Sequence, residues 1–304
     1  LKFRGSICAI VTPFLPSGEL DLPAFGRLLD GHLAAGTDAI VVAGSTGESV
    51  ALEVEEFETL LGAAVTHLRG RVRVIAGCGA ASTAKALRLM HCASDMGAEG
   101  ALVVTPYYVR PTQEGLFRHY AALADEGRLP VVLYNVPTRT GVDLLPETVT
   151  RLATRDRIAG IKEARGEPER MQALLPLRSD SFAVLSGDDP TAARAMLAGA
   201  DGVISVAGNV VPRAFRRLCT AVMSGSATEA QALDARMARL YRFLGAEPNP
   251  VPVKWLLQRS GAIAGALRLP LLELSAALHE EGDACLGLVG ELESGNLPNA
   301  ALVA

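Results

Sequence analysis

The chain has 304 residues, 49% hydrophobic and 20% charged, with a net charge of −4; that allows a sizeable core and leaves no basic stripe of the kind nucleic acid demands. No run reaches the roughly 18 uncharged apolar residues of a membrane span, and the N-terminus shows no apolar stretch followed by a small-residue cleavage site. Cys8, Cys78, Cys92, Cys219 and Cys285 are odd in number and lack metal-ligand spacing to one another or to any histidine, so free buried thiols in a reducing compartment, the cytoplasm, are expected.

In chain order, short β-branched runs alternate with longer segments of helical period. SICAIVT precedes PAFGRLLDGHLAAG, DAIVVAG precedes EEFETLLGAAVTHLR, VRVIAG precedes TAKALRLMHCASDMG, and GALVVT, PVVLYN, RIAGIKE, FAVLSG and DGVISVA follow with their own helical partners. Near-continuous apolar strands, each followed by an amphipathic helix, signal a parallel sheet covered by helices. Eight such repeats predict an α/β chain folded as a closed (β/α)8 TIM barrel over residues 1–225. An open doubly wound sheet would call for a dinucleotide fingerprint near the first strand, and none is there. From residue 226 to 304 the strand signal stops; ATEAQALDARMARLYRFLG, NPVPVKWLLQRSGAIAG and PLLELSAALHEEGDACLGLVGEL read as a helical appendage punctuated by Pro, with a frayed end in SGNLPNAALVA.

In such a barrel, polar residues at the C-terminal strand ends face the active-site mouth. The ends supply Thr12, GSTGES, TPYY, YNVPTRTG, Lys162 with Glu163, SGDD and SVAGN. No carboxylate pair suits glycosidase work and no histidine cluster suits a metal, so neither metal nor cofactor is expected. What remains is one amine among hydroxyls. Lysine occurs only at Lys2, Lys85, Lys162 and Lys254, which makes a lysine at the end of a core strand conspicuous. An amine partly desolvated at a barrel mouth holds its proton less tightly and can attack a carbonyl to form an imine; otherwise Lys162 pairs with Glu163 or reaches out to solvent. The GSTGES turn either aims N–H groups and hydroxyls of Ser45, Thr46 and Ser49 at an anion, or is an ordinary turn with a helix cap. Tyr134 either moves a proton near the amine or is core with its hydroxyl satisfied. Arg139 either grips a carboxylate bidentately or is a solvated loop cation.

Together GSTGES, VTPYYVRPTQEGL, LYNVPTRTG, GIKEA, LSGDD, GVISVAGNV and EPNPVPVKW resemble, in order and spacing, the dihydrodipicolinate synthase (4-hydroxy-tetrahydrodipicolinate synthase) family of pyruvate-dependent class I aldolases, to which N-acetylneuraminate lyase is related. The resemblance runs to about Leu274, and Arg139 is the feature that separates the synthases from the lyases. It implies a lyase in which Lys162 forms a Schiff base with pyruvate. Tyr134 donates and accepts protons, relaying through Ser45 to Tyr108, which reaches the site from a neighbouring subunit of an obligate dimer, usually doubled to a tetramer. Thr46 and the main chain of Ile204 hold pyruvate, and Arg139 binds the carboxylate of aspartate 4-semialdehyde, in the diaminopimelate route of lysine biosynthesis.

Two departures stand out. Ser45 replaces the Thr of many synthases but keeps the hydroxyl. At the interface pocket where many bacterial members bind lysine, Ser49 and Tyr107 are kept. Val54 and Phe57, however, replace two histidines, Ala81 an asparagine and Lys85 a glutamate. A cation facing a cationic ligand repels it, so insensitivity to lysine feedback is expected. The nearest rival is another pyruvate-forming aldolase, an N-acetylneuraminate or 2-keto-3-deoxy sugar acid lyase, in which Arg139 meets a different acceptor. A non-catalytic barrel would be missing a relay residue, and a metal-dependent aldolase would need a ligand cluster.

Overall fold

The structure, a computed structural model, describes residues 2–294. Eight strands, β1 (Gly5–Ala9), β2 (Ala39–Val42), β3 (Arg73–Gly77), β4 (Gly100–Val104), β5 (Val131–Asn135), β6 (Ile158–Glu163), β7 (Ala183–Ser186) and β8 (Gly202–Ser205), close in sequence order into a barrel. Every neighbouring pair is parallel, and β1 returns to β8 with Ile7 opposite Ile204. The expected TIM barrel is the observed one.

The strands read as apolar runs because both of their faces are buried. Alternate residues point outward, where Ile40, Val42, Val74, Leu133, Ile161 and Val184 pack with the helices. The others, among them Ile7, Val41, Ile75, Val132, Leu185 and Ile204, point inward and fill the lumen over Phe3. The outer ring is α1 (Leu22–Ala35), α2 (Val54–Leu68), α3 (Thr83–Asp95), α4 (Gln113–Glu126), α5 (Pro137–Thr140), α6 (Pro146–Ala153), α7 (Pro168–Leu174), α8 (Asp189–Leu197) and α9 (Pro212–Met223). Their starts follow local chemistry. Asp21, Ser82 and Thr112 accept backbone N–H groups at the heads of α1, α3 and α4, and Glu53 with Glu56 forms a capping box on α2. From α5 to α9 a proline takes one of the first two positions, where its missing N–H costs nothing.

Beyond the barrel come α10 (Ala227–Leu244), which packs on α8 and α9, then α11 (Val251–Arg259) and α12 (His279–Glu293). The last helix starts later than the sequence suggested. The Leu-rich stretch from Pro270 to Ser275 is irregular, because its polar groups are engaged elsewhere. The Leu274 carbonyl accepts from His279 Nε2 at 3.1 Å, and the Ser275 N–H donates to Glu247 at 3.4 Å. Of the tail expected to fray, all but Ser294 lies outside the described residues. Among the described residues no helix is long and apolar enough to cross a membrane, and all five cysteines are free.

Candidate active site

The site begins with the register of β5 and β6. A β-bulge between Val131 and Val132 resets the pairing so that Tyr134 lies opposite Lys162 and Asn135 opposite Glu163. Strand alternation then sends the first pair into the lumen and the second into the outer wall. Lys162 is 4% exposed. Its Nζ lies 4.2 Å from the centroid of the Tyr134 ring, close enough for the ring's negative face to attract a positive charge. Among the described residues it has no hydrogen-bond or ion-pair partner; Lys2, by contrast, pairs with Asp201 and Lys254 with Glu48. Gly187 leaves room for it, since a Cβ there would stand 2.8 Å from Lys162 Cε and 2.9 Å from Cγ.

Glu163 is not the partner of Lys162. Its carboxylate accepts from Asn135 Nδ2 at 3.0 and 3.1 Å and from the Arg165 N–H at 2.8 Å, on the far side of the barrel wall. Asn135 also donates to Asp143 Oδ1 at 2.8 Å and accepts from the Leu144 N–H at 2.9 Å. The two residues thus clip together the strands that carry Tyr134 and Lys162. Burial pushes the Glu163 carboxyl up to about 7, against the hydrogen bonds from Arg165 and Asn135 that favour its charge.

Above the lumen the mouth opens into a cavity of about 300 Å³ bounded by Ser45, Tyr107, Tyr134, Arg139, Asn249 and Arg268 among others. Ser45, Tyr134 and Arg139 therefore share one chamber, with Lys162 against the Tyr134 ring. Thr46 and Ile204 are buried, at 3% and 1% exposure; Ile204 packs in the same lumen cluster as Tyr134. Lys162, Thr46, Ile204 and Tyr108 do not themselves line the cavity; the first three are buried, whereas Tyr108 is 90% exposed with a left-handed φ of 71°, and it is Tyr107 that lines the cavity. Among the described residues no hydrogen bond joins Ser45 to Tyr134.

The GSTGES turn uses three of its amides on itself. The N–H groups of Gly47 and Ser49 donate to the Gly44 carbonyl, and that of Glu48 donates to the Ser45 carbonyl. Those three amides are therefore not free for an anion. Nor does a side chain cap the single 3-10 turn at Ser49–Ala51. Several other polar strand ends hold loops instead of facing the chamber. Thr12 Oγ1 donates to the Gly47 carbonyl at 2.7 Å, Asp189 accepts the Val206 and Ala207 N–H groups, and Asn209 ties the Val11 N–H to the Ala9 carbonyl.

Sequence reasoning missed the contribution of the C-terminal region. Lys254 on α11 is fully buried and donates to Glu48 Oε1 at 2.6 Å and to the Thr12 carbonyl at 3.0 Å. Burial lowers its pKa, and the charge of Glu48 opposes the shift. Glu48 itself adopts a left-handed φ of 54°, a strained choice for a side-chain-bearing residue, and also accepts the Arg268 N–H at 3.2 Å. Asn249 Nδ2 donates to Thr46 Oγ1 at 3.0 Å, while Arg139 Nη2 donates to the Asn249 carbonyl at 3.2 Å. Two signals were available: the scarcity of lysine, which marks Lys254 as plainly as Lys162, and the EPNPVPVKW motif, which contains both Asn249 and Lys254.

The family model described as the dihydrodipicolinate synthetase family matches residues 2–287. A curated relative from Xanthomonas campestris pv. campestris, named 4-hydroxy-tetrahydrodipicolinate synthase, is 56% identical over 93% of this chain and 93% of its own. Another of that name from Stenotrophomonas maltophilia is 51% identical over 97% of this chain and 99% of its own. The chloride-inhibited dihydrodipicolinate synthase of Acinetobacter baumannii, solved in complex with pyruvate, is 44% identical with a TM-score of 0.92, covering 94% of this chain and 99% of that one.

Proposed function

Because the chain belongs to the dihydrodipicolinate synthetase family, we propose that it catalyses the reaction for which its relatives are named, the Schiff-base condensation of pyruvate with L-aspartate 4-semialdehyde in lysine biosynthesis. The observation that carries this reading is the unpartnered amine of Lys162, enclosed in an apolar lumen against Tyr134 and below a chamber that also holds Arg139.

In the proposed sequence, Lys162 Nζ attacks C2 of pyruvate and water leaves, giving an imine. The protonated imine draws electrons from C3, which loses a proton to form the enamine. Tyr134 serves as proton donor and acceptor, through Ser45 and a neighbouring subunit's Tyr108. Thr46 holds the pyruvate carboxylate, the Ile204 main chain lines the same pocket, and Arg139 grips the carboxylate of the semialdehyde. C3 bonds to the aldehyde carbon, and the product's own amine then displaces Lys162 as the ring closes. The barrel acts as the catalytic unit, and the described part of the C-terminal region, residues 226–294, completes its mouth. No cofactor, nucleic acid or membrane takes part, and the cytoplasm is the site of action.

The exposed Tyr108 supports a dimer, doubled to a tetramer, in which each subunit completes its neighbour's relay. Lysine insensitivity rests on Val54, Phe57, Ala81 and Lys85. The last is exposed at the head of α3 and presents a cation where a cationic ligand would dock. Half-inhibition by sub-millimolar lysine in a coupled assay would refute that part of the reading.

The central test is borohydride reduction with pyruvate followed by peptide mass mapping. The adduct is expected on Lys162 and on no other lysine, and the Lys162→Met protein is expected to form none. Arg139→Ala should keep the adduct yet lose use of the semialdehyde. Adduct formation without turnover of the semialdehyde by the parent protein would point to a different acceptor.

A further inference from the structure

Thr46 carries a hydroxyl with one proton to give and two lone pairs to fill. The residue is almost wholly buried, and among the described residues Asn249 Nδ2 is the only hydrogen-bond partner of Oγ1, at 3.0 Å, acting as the donor. Its own proton has no acceptor among the described residues. A buried hydroxyl whose lone pair is taken by a fixed N–H can point its O–H along few remaining directions, and a ligand carboxylate is an acceptor that would repay it. Asn249 is held in turn. Its carbonyl accepts from Arg139 Nη2, and it lines the same cavity as Arg139 and Tyr134. Among the described residues its Oδ1 is buried with no partner of its own, and donation to Thr46 is the only hydrogen bond of the amide side chain.

We propose that Asn249, contributed by the C-terminal region, is a positioning residue for the condensation: its amide N–H fixes the Thr46 hydroxyl so that the O–H is presented to the keto-acid carboxylate. Through its main-chain carbonyl the same residue also steadies Arg139, so one asparagine links the places where the two substrates are held. The inference rests on the proposed role of Thr46 in holding pyruvate. The link to Thr46 is made by the side chain and the link to Arg139 by the backbone, so truncating the side chain perturbs the first and spares the second.

The experiment is a double-mutant cycle on the full-length protein with pyruvate and aspartate semialdehyde varied separately. Asn249→Ala is expected to raise the KM for pyruvate about tenfold, the scale of one misdirected hydrogen bond to a charged group. The KM for the semialdehyde should stay within about twofold. Thr46→Val should cause a loss of similar size, and the double variant should be no worse than Thr46→Val alone. An unchanged pyruvate KM in Asn249→Ala, or losses that multiply in the double variant, would overturn the proposal.

Should the alanine variant fold poorly, the isosteric Asn249→Asp decides the matter. As a carboxylate it can only accept, so it turns the Thr46 proton onto itself; pyruvate capture should fall at neutral pH and recover as acid returns a donor O–H. Parental behaviour of Asn249→Asp at neutral pH would sink the idea, because an acceptor alone would then suffice. Failure of the parent protein to form any pyruvate adduct would instead refute the underlying reading, and that is measured first.

Discussion

Lys162 and Glu163 are neighbours in sequence with opposite fates, and the alternation of a strand is the whole reason. Lys162 enters the lumen, where Gly187 is the residue that makes space for its chain. Gly187→Ala would push Lys162 Cε and Cγ aside, by about half an ångström or more, to restore ordinary carbon–carbon contact. The expected result is a kcat/KM lowered more than tenfold with little change in Tm, since small displacements of a reacting group are expensive. Parental rates of borohydride trapping would contradict it. Glu163 enters the wall, and its effect is on stability. With its carboxyl raised from 4.5 to about 7, the native chain holds a proton that the unfolded chain releases from about pH 4.5 upward. That contribution is present in full at lower pH and is lost as pH rises through 7. Glu163→Gln should flatten the stability–pH curve over this window by an amount of the order of 3 kcal/mol at most. Denaturant melts at several pH values check it, and an unchanged slope would count against the assignment.

At the scale of elements, the barrel was legible because each strand is buried on both faces and so reads as an unbroken apolar run flanked by amphipathic helices. Lys162, Tyr134 and Arg139 were legible because they sit at or just beyond the ends of such runs. Asn249 and Lys254 stand in the EPNPVPVKW motif, but their contacts were not legible, for their partners Thr46 and Glu48 lie some two hundred residues away and no local pattern marks a contact of that separation. The Pro270–Ser275 stretch misled for a related reason: its leucines have helical spacing, but its backbone is tied by Glu247 and His279. The Lys254–Glu48 pair yields the prediction proper to this scale. Removing one partner of a buried pair strands the other charge, at a cost of about 3–5 kcal/mol. Lys254→Met should therefore lower Tm by several degrees and loosen the Thr46 turn, raising the KM for pyruvate. Lys254→Met with Glu48→Gln should recover part of the stability. A double variant less stable than either single one would refute the pairing argument.

For the whole molecule, the outstanding feature is what a single copy leaves uncovered. Tyr108 is 90% exposed in a left-handed conformation, and Val109 beside it is 56% exposed. On the proposed reading these residues lie under a second copy, and the relay from Ser45 ends in the neighbour's hydroxyl. Activity should then fall on dilution in step with dimer dissociation measured by sedimentation, while the barrel's circular dichroism persists. Tyr108→Phe should lower kcat at least tenfold without shifting that dissociation. A monomer at full activity would remove Tyr108 from the relay.

The grip of Lys254 on Glu48 also has a temporal side. A ribosome makes the turn at residue 48 long before the lysine that pairs with it, so a nascent chain can complete all eight strands while the rim at Glu48 still lacks the helix that covers it. Premature termination near residue 225 would leave that defect permanent, and such a fragment should be a client of chaperones and proteases rather than a smaller working catalyst.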